Sequence, residues 1–371
     1  MKFKYVVVGA GLAGATIAER IASQLDEEVL VIEKRKHIAG NCYDFYDSNG
    51  ILVHKYGAHI FHTNLKRVWE YLSNFTTWHL YQHRVLSYVD GKLVPIPINL
   101  DTINELFGTK LTAQELPEFF EKMREPIAAI KTSADVVLSK VGKYLYEKMF
   151  KNYTLKQWGV TPDKLDPQII SRVPIRENRD DRYFDDPYQG LPKEGYTRMV
   201  ERMLSHPNIK LLLGTDYKDV IGEIEYERLI YTGPIDYYFN YKYGKLPYRT
   251  VEMKFEGHNT EYYQLAGTVN YPNDYDFTRI TEFKHLTGQK CDKTTILKEF
   301  PKGTTAEKEP YYPVFDEGTN RLAAKYREAA EKETDAFFVG RLAEYKYYNM
   351  DVTIAKALVM FHYLMEQNKC G

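Results

Sequence analysis

Gly9, Gly11 and Gly14 stand at the spacing with which a polypeptide turn holds a pyrophosphate. The run Tyr5-Val6-Val7-Val8 leads into them and reads as a parallel strand buried on both faces. A helical pattern follows, with Leu12, Ala15, Ile17, Ala18, Ile21 and Leu25 on one face, and a second strand, Val29-Leu30-Val31-Ile32, ends in Glu33. Gly9 permits the tight turn, Gly11 lets the backbone approach the pyrophosphate, and Gly14 lets helix pack closely on strand. The anion then sits at a helix N-terminus, where unpaired N–H groups and the dipole favour it. Glu33, 19 positions after Gly14, can accept hydrogen bonds from adenosine ribose hydroxyls and disfavours a 2′-phosphate. Strand, turn, helix, second strand and acid all fall in register, so this is a dinucleotide site.

Two further segments select FAD over a nicotinamide. The basic turn Lys34-Arg35-Lys36-His37-Ile38-Ala39-Gly40-Asn41 resembles the extension after the second strand in the large flavoprotein group that includes amine oxidases, where it continues along FAD. Near the other end, Phe337-Phe338-Val339-Gly340-Arg341 reads as a strand ending at Gly-Arg. Met350-Asp351 then opens a helix with Ile354, Leu358, Phe361 and Met365 on one face. A helix N-terminus against an isoalloxazine stabilises negative charge on a reduced flavin. Asp351 reads equally well as a plain acid near a helix N-cap.

These elements belong to a chain of 371 residues, long enough for two or three cores. Net charge is −1, so nothing global draws it to nucleic acid or an anionic membrane, and affinity for a phosphorylated ligand must come from local Arg or Lys. No apolar run approaches the 18 residues of a membrane helix, and the N-terminus enters a strand without a signal-peptide pattern. The 3 cysteines, Cys42, Cys291 and Cys370, give neither a disulfide framework nor a zinc spacing, which fits a reducing cytosol. His59 and His62 lie three apart without a third ligand, so no metal is expected. Walker-type loops and Gly-x-Ser-x-Gly elbows are missing from the sequence. The 32 tyrosines include rings suited to sugar and nucleoside surfaces, though most serve as sheet-formers.

The expected fold class is α/β: a Rossmann-like FAD-binding domain with an inserted helical bundle and an antiparallel β-sheet domain. The FAD-binding domain is discontinuous, over 1–78, 190–235 and 316–371. The helical insertion spans 99–150, with Thr112 and Glu115 as a capping box and Ala134, Leu138, Val141, Leu145 and Met149 at helical spacing. A sheet and substrate domain takes 79–98, 151–189 and 236–315. A helix is expected near 64–75, a hairpin at 82–97 turning on Asp90-Gly91, strands at 209–213 and 228–232, and alternating strands at 249–256, 262–269 and 278–284.

Several strings point the same way: Tyr56-Gly57-Ala58-His59-Ile60-Phe61-His62-Thr63, Tyr153-Thr154-Leu155-Lys156-Gln157-Trp158-Gly159 and Gln189-Gly190-Leu191-Pro192-Lys193-Glu194-Gly195-Tyr196. Further on come Thr278-Arg279-Ile280-Thr281-Glu282-Phe283-Lys284-His285, Pro310-Tyr311-Tyr312-Pro313 and Gly340-Arg341-Leu342-Ala343-Glu344-Tyr345-Lys346-Tyr347. Together, in order and over nearly the whole chain, they closely resemble the bacterial UDP-galactopyranose mutases. The resemblance implies an FAD enzyme that interconverts UDP-galactopyranose and UDP-galactofuranose without net redox change. There the reduced flavin attacks the anomeric carbon through N5, UDP leaves, the adduct opens to an iminium, and the ring recloses through the other hydroxyl.

By motif, the resemblance makes Arg172 and Arg279 a pyrophosphate clamp, a task that suits the guanidinium fork. Trp158, Tyr153 and Phe150 fall beside the uridine, Tyr183 and Phe184 help bind the nucleotide, and Asn270 contacts the ligand. Tyr347 and one of Tyr311 or Tyr312 hydrogen-bond the diphosphate. His59 and His62 lie close to the flavin, and Arg249 and Arg341 add positive charge near it. A mobile loop around 162–182 closes over substrate, and a homodimer is expected. Two positions depart from the family: Asn349 stands where relatives often carry Asp, which puts in doubt any role there needing a carboxylate, and Ala58 stands where proline is common. The rival readings are the same chemistry on UDP-N-acetylgalactosamine, an amine-oxidase-like FAD oxidoreductase with an apolar substrate tunnel, and a non-catalytic binder on the same scaffold, like the GDP-dissociation inhibitors. The Arg and Tyr set argues against the second, and the intact glycine fingerprint against the third.

Overall fold

The strand Lys2–Val8 pairs in parallel on both sides, with Val29–Glu33 and with Glu225–Tyr231. Its apolar run is continuous because both faces are covered: Tyr5, Val6 and Val7 are fully buried. Ile209–Leu213 and Ala336–Phe338 complete a parallel sheet of 5 strands at its two edges. The computed structural model describes residues 2–171, 174–302, 312–314 and 317–370.

One face of this sheet carries the helices Leu12–Leu25, Tyr196–Met203 and Met350–Cys370, packed with Ile17, Ile21, Val200, Ile354 and Phe361 into one core. The opposite face is closed by Tyr217, Ile224 and Ala343 against Val6, Leu30 and Leu229. Of the helix face expected after Met350, Ile354 and Phe361 are buried, while Leu358 and Met365 pack at its margin.

A second sheet of 7 strands is mostly antiparallel. It includes the hairpin Val85–Val89 and Lys92–Ile96, whose turn residues Asp90 and Gly91 both have positive φ, as a two-residue turn requires. The helices Leu100–Phe107, Leu116–Met123 and Ser133–Leu145 pack on that hairpin: Val85, Val89, Val94 and Ile96 share a core with Ile103, Phe120, Val137 and Val141. A short antiparallel sheet of Phe61–Thr63, Tyr188–Pro192 and Trp78–Leu80 stands beside both larger ones.

Three local expectations need correction. Reciprocal capping boxes form at Asn99 with Thr102 and at Thr132 with Asp135, each worth about 1 kcal/mol. At Thr112 and Glu115 the carboxylate reaches back to Thr112 N–H, but the helix starts only after Glu115. Of the strand expected at 262–269, only Thr268–Asn270 forms. The buried Glu282 carboxylate accepts the amides of Tyr263 and Gln264, which fixes the preceding stretch as a loop. The strand expected at 278–284 stops at Glu282, where the helix Phe283–Thr287 begins.

Candidate active site

A cavity of about 1080 Å³ runs along the carboxyl ends of all the parallel strands. Thr215, Asp216 and Tyr217 line it after one edge strand, followed by Glu33 to His37, Gly9 and Gly11, Tyr231 to Pro234, and Gly340 to Leu342. Open α/β sheets bind their ligands in this crevice.

The three glycines divide by what constrains them. A Cβ on Gly9, at φ +105°, would fall 2.1 Å from Oγ1 of Thr232, and one on Gly14 would fall 1.9 Å from the carbonyl oxygen of Gly9. At Gly11 the nearest atom is Cα of Gly40 at 3.7 Å, an ordinary contact. The chain itself requires Gly9 and Gly14, whereas the space before Gly11 suits an approaching ligand. The helix that starts at Leu12 has no side-chain cap and no acid in its first turn, so its first amides are available to an anion. These features fit a dinucleotide pyrophosphate.

Glu33 is 8% exposed and accepts Ala10 N–H at 2.8 Å and Arg35 N–H at 2.8 Å. It ties the glycine turn to the basic segment, and each oxygen keeps a lone pair for a ribose hydroxyl. Lys34 pairs with Asp216 at 2.9 Å, and Arg35 donates to Asn41 at 2.9 Å while lying over the Tyr56 ring. Gly40, Asn41, Met350 and Arg341 line the cavity. Arg341 is held by the Tyr348 carbonyl and lies 5.3 Å from the Tyr347 ring centroid. Beside Met350, burial pushes the Cys42 thiol up to about 12.

His59 lines the same cavity; its Nδ1 lies 2.8 Å from the Gly57 carbonyl, which can only accept, so the proton is on Nδ1. Burial, helped by the neighbouring His54, pushes its imidazole down to about 3, and the ring is neutral with a lone pair on Nε2. Asp351 is withdrawn from the cavity. Its carboxylate accepts Thr63 Oγ1 at 2.8 Å and Val352 N–H at 2.7 Å, so it secures the helix start to the strand Phe61–Thr63. Its carboxylate is thus placed as an acid near a helix N-terminus, next to the cavity-lining Met350.

A second wall carries the remaining residues. The helix Asn152–Trp158 presents Tyr153 and Trp158 and is docked by Lys156 Nζ on the Tyr271 carbonyl at 2.9 Å and by Asn152 on Asn273 at 2.9 Å. Arg249 donates to the Lys156 carbonyl at 3.2 Å. Arg279 faces Asn270 across one strand pair and Glu299 across the other, with its guanidinium 6.0 Å from the Tyr153 ring centroid. Asn270 Oδ1, Gln157 Oε1 and Arg249 Nε are buried without a hydrogen-bond partner among the described residues. Such groups call for a bound polar ligand or water. Phe150 and Tyr183 pack at the margin of the helical core.

His62 stands apart from His59. It does not line the cavity; its ring stacks on Phe184 at 3.7 Å and its Nδ1 meets Asp186 at 2.7 Å. Of the two histidines expected close to the flavin, His59 therefore lines the cavity directly, while His62 faces Phe184 and Asp186. In the segment expected as a loop, Pro162–Lys164 and Pro167–Ser171 are short helices, and Arg176 N–H bonds the Ile98 carbonyl at 2.9 Å. Arg172 and Tyr311 lie outside the described residues, as does the side chain of Tyr312, whose backbone pairs with Arg249.

Sequence reasoning missed His83 and Glu299. His83 packs against Tyr183 and Phe184, and burial, with the Arg279 charge behind it, pushes its imidazole down to about 3. Glu299 is buried opposite Arg279, with Oε2 3.4 Å from Arg279 Nε. Its one sequence signal was an acid at the same strand parity as the apolar Leu297.

Fold and site define a dinucleotide-binding protein of the doubly wound class whose second wall is cationic and aromatic. A family model described as NAD(P)-binding Rossmann-like domain matches residues 7–75, and one described as UDP-galactopyranose mutase matches residues 148–347. The chain is 39% identical over 357 residues to a probable UDP-galactopyranose mutase of Klebsiella pneumoniae, covering 95% of this chain and 92% of that one. It is 36% identical over 375 residues to a dTDP-fucopyranose mutase of Escherichia coli, covering 99% of each. A crystal structure of reduced UDP-galactopyranose mutase superposes with a TM-score of 0.79 at 16% identity, over 98% of this chain and 96% of that one. The chain belongs to the UDP-galactopyranose mutase family and is an isomerase. Among the described residues no helix is long and apolar enough to cross a membrane, and no cluster of metal-binding side chains occurs.

Proposed function

We propose that this enzyme interconverts UDP-galactopyranose and UDP-galactofuranose, with FAD along the strand ends and the nucleotide sugar against the second wall. The observation that carries the reading is Arg279, set between Asn270 and Glu299 and facing Tyr153, beside buried polar atoms that have no hydrogen-bond partner among the described residues. Arg279, with Arg172, clamps the diphosphate; Tyr347 and one of Tyr311 or Tyr312 add hydrogen bonds. Trp158, Tyr153 and Phe150 hold the uridine, with Tyr183 and Phe184 behind them. Arg249 and Arg341 balance negative charge, which is largest when UDP departs. His59, neutral and fixed as the Nδ1–H tautomer, offers an acceptor to the cofactor side. When bound in its reduced form, FAD supplies the nucleophile for the anomeric carbon. The galactofuranose product serves surface glycans, and the enzyme works as a cytoplasmic homodimer; a monomer in light scattering would remove the dimer without touching the chemistry.

An anaerobic assay with UDP-galactofuranose, with and without dithionite, tests this. Conversion to UDP-galactopyranose only with reduced flavin is the expected result. No conversion by flavin-replete, reduced protein would move the reading to an oxidoreductase on the same scaffold. The 36% identity to a dTDP-fucopyranose mutase over 99% of both chains favours running dTDP-fucofuranose in parallel: higher kcat/KM on that sugar would keep the ring exchange and reassign the substrate. UDP-N-acetylgalactosamine is the third arm.

A further inference from the structure

His62 and Asp186 form a couple that the diphosphate and uridine contacts do not use. His62 lies on the strand Phe61–Thr63, directly opposite Gln189 in the neighbouring strand. Its ring is clamped flat on Phe184, with ring planes 10° apart, and its Nδ1 is 2.7 Å from Oδ2 of Asp186. Gln189 Nε2 fixes the turn that carries Asp186, donating to the Asp186 carbonyl at 2.7 Å and the Phe184 carbonyl at 3.1 Å. An ionised carboxylate only accepts, so the contact keeps a proton on Nδ1 and dedicates Nε2 to whatever lies before it. Nε2 has no hydrogen-bond partner among the described residues, and the side chain is 15% exposed. The couple belongs to the wall of Arg279: Phe184 also faces His83, whose imidazole is lowered by the charges of Arg279 and His62 after burial.

The inference rests on the mutase reading. Exchanging a pyranose for a furanose breaks the bond between C1 and O5 and forms one between C1 and O4. The released oxygen must gain a proton and the closing hydroxyl must lose one. No electrons are gained or lost, and the reverse reaction makes the same demands. We propose that His62 is the group that moves this proton and Asp186 the positioning residue that holds it to the task. With the ring protonated, Nε2–H donates to the oxygen leaving C1; the neutral Nε2 then takes the proton of the hydroxyl that closes, and the imidazole ends as it began. The carboxylate beside Nδ1 sets the ring's orientation. The other two histidines near the sites, His59 and His83, are poor holders of a proton near neutral pH, since burial pushes both down to about 3.

The test uses the flavin-loaded, reduced full-length enzyme as wild type, His62→Gln, Asp186→Asn and Asp186→Glu. Bound flavin per chain and UDP affinity are measured first, then kcat and KM for UDP-galactofuranose. ¹⁵N spectra of histidine-labelled wild type and Asp186→Asn report which ring nitrogen of His62 carries the proton. The expected result is a fall in kcat of about 100-fold or more for His62→Gln and Asp186→Asn, with KM, UDP affinity and flavin content within threefold of wild type. Asp186→Glu should recover part of the loss, and Nδ1 of His62 should lose its fixed proton in Asp186→Asn. A kcat within threefold of wild type in either of the first two variants, or a loss of UDP affinity that matches the loss of kcat, overturns the proposal. So does an unchanged ring state in Asp186→Asn. A wild type that converts no UDP-galactofuranose fails the mutase reading itself, a different outcome from active wild type with unaffected variants.

Discussion

Nε of Arg279 lies 3.4 Å from Oε2 of the buried Glu299, its direct cross-strand neighbour. Burial raises the Glu299 carboxyl above the usual carboxylate range, and the guanidinium pulls it back in part. The pairing is an ion-pair contact that sets the Nε edge of the guanidinium against Glu299. A lysine has one nitrogen and cannot meet Glu299 with one edge while presenting a planar fork at the tip. Arg279→Ala should therefore lose most turnover with flavin still bound. Arg279→Lys, which keeps the charge, should still lose at least about tenfold in kcat/KM. Steady-state kinetics on flavin-matched preparations checks both, and near-wild-type activity in the lysine variant would show that charge alone suffices.

Gly11 and Gly14 make opposite predictions for the same substitution. A Cβ at Gly14 would meet the Gly9 carbonyl oxygen at 1.9 Å, a clash between backbone and side chain that no rotamer relieves. Gly14→Ala should yield little folded protein. A Cβ at Gly11 meets Cα of Gly40 at 3.7 Å and fits. Gly11→Ala should fold, with an apo melting temperature within a few degrees of wild type and a stability change of about 1 kcal/mol or less, yet bind far less flavin. Absorbance of bound flavin, with thermal melts of the apo forms, separates the two. Full flavin occupancy in Gly11→Ala would mean that no pyrophosphate passes that point.

The dinucleotide half was legible because its signals are local. The strand–turn–helix–strand order, the glycine spacing and Glu33 occupy one continuous stretch, and periodicity alone sets their geometry. The stretch 262–267 was read as part of a strand because Tyr263, Leu265 and Val269 share one parity. What fixes it is the Glu282 carboxylate 18 and 19 positions away, which takes the Tyr263 and Gln264 amides. The second wall was legible only through family motifs. Arg279, Asn270 and Glu299 become neighbours through antiparallel register, and the His62 partner, Asp186, is 124 positions distant. Asp351 shows the limit of a local reading: its place at a helix start was legible, but the hydroxyl that bonds its carboxylate belongs to Thr63, 288 positions away.

Trp158 ends the helix Asn152–Trp158, which is docked by hydrogen bonds from Lys156 and Asn152. Trp158→Ala should leave that helix in place and remove only an aromatic surface. UDP affinity should fall by about tenfold, the loss expected for one aromatic contact of roughly 1–1.5 kcal/mol, while kcat at saturating substrate changes less. Titration of UDP followed by flavin absorbance or calorimetry gives the first number and steady-state kinetics the second. Unchanged UDP affinity would take Trp158 away from the uridine.

The buried histidines predict how the fold responds to acid. His54 is 1% exposed and His83 is 5% exposed, and burial pushes their imidazoles down to about 4 and about 3. Folding therefore keeps both rings neutral, whereas in the unfolded chain they take up protons below the ordinary histidine value of about 6.5. With the unfolded state binding more protons, stability rises with pH, and it is fully present above that value. It is lost as pH falls from about 6.5 towards 4, by up to ~1.4 kcal/mol per pH unit for each histidine. Denaturant unfolding of the flavin-free protein at a series of pH values should show this slope. Replacing His54 by Gln or Phe should flatten it by one histidine's share, even where the substitution lowers stability at neutral pH. A slope unchanged by the replacement would mean that His54 titrates alike in the folded and unfolded chain.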